Sequence, residues 1–168
     1  MAANSTPNPT RPDSIDRTGG TLVLSQSDVT RLLDPAACIE AVEAAFRLLA
    51  EGRSLHPGVL SVHAPGGAFH IKAAGLPLGR LYFVAKTNAN FPDNPAQRQL
   101  PTIQGVLVLL DGTDGRPLAV MDSMSLTAQR TAAATAVAAK HLAGANAETA
   151  TLIGCGLQAA AQIRALHL

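Results

Sequence analysis

The chain has 168 residues, with 13 Lys and Arg against 12 Asp and Glu and a formal net charge of +1. Hydrophobic residues make up 47% and charged residues 15%, which supports a packed core in one domain, or one domain plus a fragment, and excludes wholesale disorder. With no basic stripe and 3% aromatic residues, nucleic-acid binding has neither an electrostatic footprint nor a stacking platform.

Residues 1–20 are rich in Pro, Asn, Ser and Thr and lack an apolar stretch, which excludes a secretory signal and predicts a disordered tail. No apolar run approaches the ~20 residues that a bilayer requires. Thr21–Leu24 alternates like a strand. Ser25-Gln26-Ser27-Asp28 has the S-x-x-D capping pattern, and Val29, Leu32 and Leu33 follow at helical spacing. Asp34 caps and Pro35 opens a second helix, whose Ile39, Val42, Phe46 and Leu49 predict one buried face. Gly52 ends it in the left-handed conformation.

From Leu55 to Asp122 the texture is β-like. Val59–Ala64, Ala68–Ala74, Leu81–Ala89 and Ile103–Leu110 predict strands, separated by Pro65-Gly66-Gly67, Pro77-Leu78-Gly79 and a long loop around Pro92–Pro101. Asp111-Gly112-Thr113-Asp114-Gly115 is a hairpin turn into Pro117–Met121. The strands are mostly antiparallel. Ser123–Leu142 is helical, with small residues on one side (Ala128, Ala132, Ala133, Ala136, Ala139) that let it lie close to another backbone. Gly144-Ala145-Asn146 breaks this helix.

Glu148–Ile153 predicts a short buried strand. It runs into Gly154-Cys155-Gly156-Leu157-Gln158-Ala159 and a helix over Ala160–Leu166. Strand, G-x-G-x-x-A, helix is the opening unit of a dinucleotide-binding fold. The second strand and its terminal carboxylate do not follow. The expected fold class is therefore α/β (α+β). A β-rich domain with flanking helices covers 21–122, a linking helix covers 123–146, and 147–168 begins a Rossmann-like domain.

In the glycine turn, Gly154 allows the tight bend and Gly156 lets the backbone approach a pyrophosphate. Ala159 permits close helix–strand packing, and the phosphate rests on free amides at the positive end of the helix dipole. A simple tight turn uses the same residues. Lys86 lies mid-strand with Val84 and Tyr82 as alternation partners, and is either an edge-strand lysine that snorkels to water or a pocket cation. Lys72 is the same kind of residue, with His70 on its face. One or two lysines in a pocket suit a carboxylate-bearing substrate or a base of lowered pKa. Arg130, in a helix with little local acid, is either an exposed helix arginine or a bidentate partner for carboxylate or phosphate.

Asn88–Pro95 is turn chemistry, with a substrate lid as the other reading. The five histidines are dispersed, without a triad or H-x-x-x-H spacing, and Asp111 and Asp114 read as turn residues. Cys38 and Cys155 have no partner at metal spacing and make no disulfide framework, so the expectation is no metal and a reduced, cytoplasmic setting.

Taken together, these segments resemble the ornithine cyclodeaminase/mu-crystallin family. The matching pieces are Ala85-Lys86, Asn90-Phe91-Pro92-Asp93-Asn94-Pro95 and Leu100-Pro101-Thr102-Ile103-Gln104-Gly105-Val106. Asp111 with Gly115-Arg116-Pro117-Leu118-Ala119 follows, then Leu126-Thr127-Ala128-Gln129-Arg130-Thr131-Ala132-Ala133-Ala134. Ala138-Ala139-Lys140-His141-Leu142-Ala143 and Ile153–Ala159 complete the run, in matching order from about Leu22 onward.

The resemblance implies a homodimer that uses NAD or NADP on a small amino-acid or imino-acid substrate, with no nucleic-acid or membrane partner. It places Lys86 in the substrate pocket and Arg130 on the substrate carboxylate or near the cofactor. Thr102, Thr131, Leu157 and Gln158 fall on the cofactor side with Gly154, Gly156 and Ala159. The implied chemistry is hydride transfer at the substrate Cα through an imine. In a cyclodeaminase this takes ornithine to proline and ammonia; an alanine-dehydrogenase-like or ketimine-reductase-like reaction is the alternative. Family members often carry an arginine near Pro57-Gly58. None stands there in this chain, and Lys72 is the candidate substitute. The family's catalytic aspartate falls past residue 168, so the chain by itself is expected to be inactive, at the extreme a non-catalytic dimerisation domain.

Overall fold

The protein is described over residues 20–168 by a computed structural model. The tail expected over residues 1–20 therefore lies outside the described residues, Gly20 excepted. Strand β1 is Leu22–Leu24, followed by α1 (Gln26–Leu32) and α2 (Pro35–Ala50). Three long strands come next: β2 (Leu55–Ala64), β3 (Gly67–Leu78) and β4 (Arg80–Asn90). A short helix α3 (Asn94–Arg98) precedes β5 (Ile103–Asp111) and β6 (Pro117–Asp122). The chain closes with α4 (Met124–Leu142) and α5 (Leu157–His167).

Local chemistry explains most boundaries. Ser25 and Asp28 form a reciprocal capping box at α1. Asp34 accepts from the amides of Ala36 and Ala37 at the start of α2, with Pro35 in the first turn. Gly66 and Gly79, both at φ +79°, make the two tight turns of the β2–β3–β4 meander, a conformation that side chains with a Cβ resist.

The six strands form one sheet in the order β1-β6-β5-β4-β3-β2. β1 runs parallel to β6, and the other neighbours are antiparallel. Helix α4 crosses one face of this sheet, and α1, α2 and α5 gather around α4. Ala132 on α4 and Ala161 and Ala165 on α5 form a buried cluster with Ile39 of α2 and Ala136 against it. Their small side chains bring the three helices close. Lys140 and His141 on α4 each reach Glu43 on α2 at 2.8 Å and tie the two helices at their surface.

Three expectations need correction. Glu148–Ile153 forms no strand, and Ile153 is fully exposed. A run of apolar residues becomes a strand only where a neighbour accepts its ladder, and no described strand pairs with it. Phe46 and Leu49 of α2 stay 49% and 50% exposed, because α2 packs against the alanine-lined α4 rather than against the sheet. Asn88–Pro95 is not a single loop: Asn88–Asn90 continue β4, and Asn94 opens α3.

Candidate active site

Register decides which side chains meet. Across the sheet, Val59, Lys72, Lys86, Leu107 and Met121 stand opposite one another in successive strands, so their side chains share a face. The next row on that face is Ser61, His70, Asn88 and Gly105. Gly105 lets α4 settle there. A Cβ at this position would lie 2.3 Å from Asn88 Oδ1 and 2.7 Å from Ser123 Oγ. Ser123, fully buried at the start of α4, donates to Asn88 Oδ1 at 2.8 Å.

This seating places the first turns of α4 over the lysines. Lys86 Nζ donates to Thr127 Oγ1 at 3.4 Å. Arg130 stands one turn further along the same helix face. A cleft of about 270 Å³ opens here, lined chiefly by His70, Lys72, Lys86, Asn88, Thr127 and Arg130. A second lobe of about 300 Å³ adjoins it, walled by Pro57, Val59, Val84, Leu107 and Leu126. Lys72, Lys86 and Arg130 line both lobes and so stand at their junction. The edge-strand reading of Lys86 is thereby corrected: β4 is an inner strand, and its lysine is half-buried beneath a helix.

The electrostatics are one-sided. Among the described residues no acid lines either lobe, and their ion pairs use none of the three cations. Burial lowers the Lys86 pKa below that of an ordinary lysine, and the charges of Arg130 and Lys72 lower it further. Like charges in directly opposed cross-strand positions destabilise a sheet. An anion at the junction would relieve both strains.

The remaining expected residues lie elsewhere. Gly154 has φ +104°, and Gly156 caps α5 without a side-chain hydrogen bond. The first turn of α5, which carries Leu157, Gln158 and Ala159, holds no acidic residue. Its free amides suit a phosphate, which is the part of a dinucleotide that the residues present fit. Thr102 is half-buried just before β5, its carbonyl accepting from Phe91 N at 2.8 Å, next to the cleft residue Ile103. Thr131 turns its hydroxyl back onto the Thr127 carbonyl at 2.7 Å. Neither threonine nor the glycine turn lines the cationic cleft.

Sequence reasoning missed Asn88, Asn90 and Thr127 as cleft residues. The two asparagines follow Lys86 at period two, and Thr127 precedes Arg130 by three on a helix. Both spacings were available as signals.

Residues 20–168 match the model of the ornithine cyclodeaminase/mu-crystallin family, and the chain belongs to that family. It is 38% identical over 147 residues to the alanine dehydrogenase of Archaeoglobus fulgidus, covering 88% of this chain and 44% of that protein. It is 33% identical over 145 residues to the iminosuccinate reductase of Paracoccus denitrificans, covering 86% and 45%. Among solved structures, an archaeal alanine dehydrogenase dimer with bound NAD superposes with a TM-score of 0.83 at 38% identity, covering 88% of this chain and 45% of that one. The chain spans about half the length of the curated relatives it matches.

Proposed function

We propose that this member of the family supplies the substrate-binding half of an NAD(P)-dependent enzyme that moves a hydride to or from the Cα of a small amino or imino acid. The observation that carries the proposal is the acid-free junction of Lys72, Lys86 and Arg130 at the mouth of a two-lobed cleft. Arg130 presents a planar fork to the substrate carboxylate, and Lys86 adds a point charge beside it. Lys72 faces the same space as Pro57 and Gly58, where a basic side chain is missing, and substitutes for it. Bound NAD or NADP supplies hydride exchange. The α5 amides would hold its pyrophosphate, and Thr102 and Thr131 would contact the cofactor. Residues 21–122 act as the substrate and dimerisation domain, 123–146 as the linking helix, and 147–168 as the start of the nucleotide domain.

Two finer reactions fit this geometry: cyclodeamination of ornithine to proline, and reversible dehydrogenation of an amino acid through its imine. The latter is favoured by the likeness to the alanine dehydrogenase of Archaeoglobus fulgidus, 38% identical over 147 residues. The test is a screen of L-amino acid oxidation and 2-oxo acid reductive amination by the product of the full reading frame, followed by NADH absorbance. Lys86→Ala is expected to lower turnover roughly 10²-fold, the scale of removing one preorganised charge contact. Unchanged turnover would remove Lys86 from the site.

A further inference from the structure

We propose that Lys86 is a covalent nucleophile: its neutral amine captures the carbonyl carbon of a 2-oxo acid as an imine and passes that carbon to ammonia. The inference rests on the carboxylate site described above and adds the route by which the 2-imino acid forms there.

The first observation is placement. The chain has three lysines, Lys72, Lys86 and Lys140. Lys140 lies on the surface, where its Nζ donates to Glu43 at 2.8 Å. The other two stand directly opposite each other on β3 and β4. Lys72 is exposed, whereas Lys86 is half-buried and lines both lobes of the cleft. Desolvation and a neighbouring cation both favour the uncharged amine, which is the nucleophilic form. The groups around Lys86 supply both: Lys72 and His70 on β3, Arg130 on α4 and the apolar Leu107 on β5. Burial first, then the Arg130 and Lys72 charges, lower its pKa, so its neutral fraction exceeds that of an ordinary lysine.

The second observation is orientation. Thr127 Oγ1 accepts from Lys86 Nζ at 3.4 Å. In the neutral amine one N–H keeps that contact, and the lone pair remains for the cleft. A 2-oxo acid carries its carbonyl carbon one bond from its carboxylate. Arg130 on that carboxylate therefore brings the carbon towards Nζ, since both side chains line the same lobes. Asn90 lines the polar lobe as well. Its side-chain amide holds a donor and an acceptor, and either suits the hydroxyl of the first adduct.

The steps balance without a redox change. The Nζ lone pair attacks the carbonyl carbon, and a proton passes from nitrogen to oxygen to give a carbinolamine. Its hydroxyl leaves with a proton as water, which closes the carbon–nitrogen double bond. Ammonia then adds to the same carbon, and the lysine nitrogen takes a proton from the incoming nitrogen and departs as the free amine. The product is the 2-imino acid, the hydride acceptor of the proposed reaction, and Lys86 is regenerated.

The test treats the product of the full reading frame with pyruvate and sodium cyanoborohydride, which reduces an imine to a stable amine. The intact mass is expected to rise by one pyruvic acid less one oxygen atom, and peptide mapping to place the adduct on Lys86. Added ammonium chloride should lower the yield, because ammonia draws off the imine. Lys86→Arg keeps the charge and removes the nucleophile. It should lose the adduct and slow reductive amination of pyruvate more than reduction of 1-pyrroline-2-carboxylate, whose imine is already formed. An adduct confined to Lys72 or the α-amino group, a yield indifferent to ammonium, or an equal loss in both reactions overturns the covalent role. Pyruvate that binds in a calorimetric titration without yielding an adduct overturns it too, and leaves the carboxylate site standing. Pyruvate that neither binds nor yields an adduct overturns both.

Discussion

Lys72 and Lys86 face each other across adjacent antiparallel strands, and α4 brings Arg130 to the same cavity without an intervening acid. Such an arrangement costs stability in the empty protein and returns it when an anion binds. The chain should therefore be stabilised against heat by small carboxylates and not by equal concentrations of chloride. An absence of any carboxylate-specific rise in Tm would argue against an anion site.

The lowered pKa of Lys86 gives this binding a pH signature. The ammonium form holds the carboxylate. Affinity is therefore full below the folded-state pKa and falls as pH rises through it, earlier than for a lysine at the ordinary 10.5. Lys72→Met removes one of the charges that lower it, so the alkaline fall should move to higher pH. A titration of carboxylate affinity against pH in both proteins checks the direction. An unmoved fall would uncouple the two lysines.

Gly105 is where a single methyl group should do the most harm. Its added Cβ would meet Asn88 Oδ1, the Thr87 carbonyl and Ser123 Oγ, all within 2.7 Å, and two of these are atoms that seat α4. Gly105→Ala should cost ~1–3 kcal/mol or more, the range for overpacking, and weaken carboxylate binding by displacing the helix. Urea unfolding and the same calorimetry measure both. A fully stable variant with unchanged affinity would show that α4 has another route onto the sheet.

Much of this fold was legible because its determinants are local. The Ser25–Asp28 box, the Asp34-Pro35 start, the Gly52 stop and the glycine turns each act within a few residues. The site was legible only in pieces. Lys72, Lys86 and Arg130 stood out singly, yet their convergence depends on strand register and on Gly105 admitting α4. Asn88 fell both in the predicted strand Leu81–Ala89 and in the turn-like run Asn88–Pro95, and β4 carries it on to Asn90. The misread strand at Glu148–Ile153 had the apolar residues but no ladder partner among the described residues. Phe46 and Leu49 obeyed helical periodicity, which says which face is apolar and not whether anything covers it.

Glu43 predicts how the helical layer responds to acid. Hydrogen bonds from Lys140 and then His141 lower its pKa from 4.5 to about 2. A carboxylate depressed in the folded state stabilises fully above its unfolded value and loses that contribution as pH falls through the folded one. The advantage of wild type over Glu43→Gln should therefore be full just above pH 4.5, shrink between 4.5 and about 2, and vanish below. Melting curves over that window measure it. A constant difference at every pH would place the effect of Glu43 in packing rather than in charge.

The face of the sheet opposite α4 carries Leu60, Val62, Phe69 and Val106, which remain 55%, 47%, 38% and 40% exposed. Register puts Leu60, Ile71, Thr87 and Val106 in one row and Val62 and Phe69 in the next, so the patch spans β2 to β5 with Thr87 within it. Contiguous apolar surface on that scale marks an interaction site, and a second copy of the chain supplies a surface of the same kind. We expect a homodimer through this face. Val106→Lys, which charges the β5 end of the patch on the face opposite the cationic cleft, should yield a monomer in sedimentation while carboxylate binding persists. A dimer that survives both Val106→Lys and Leu60→Glu would put the interface elsewhere.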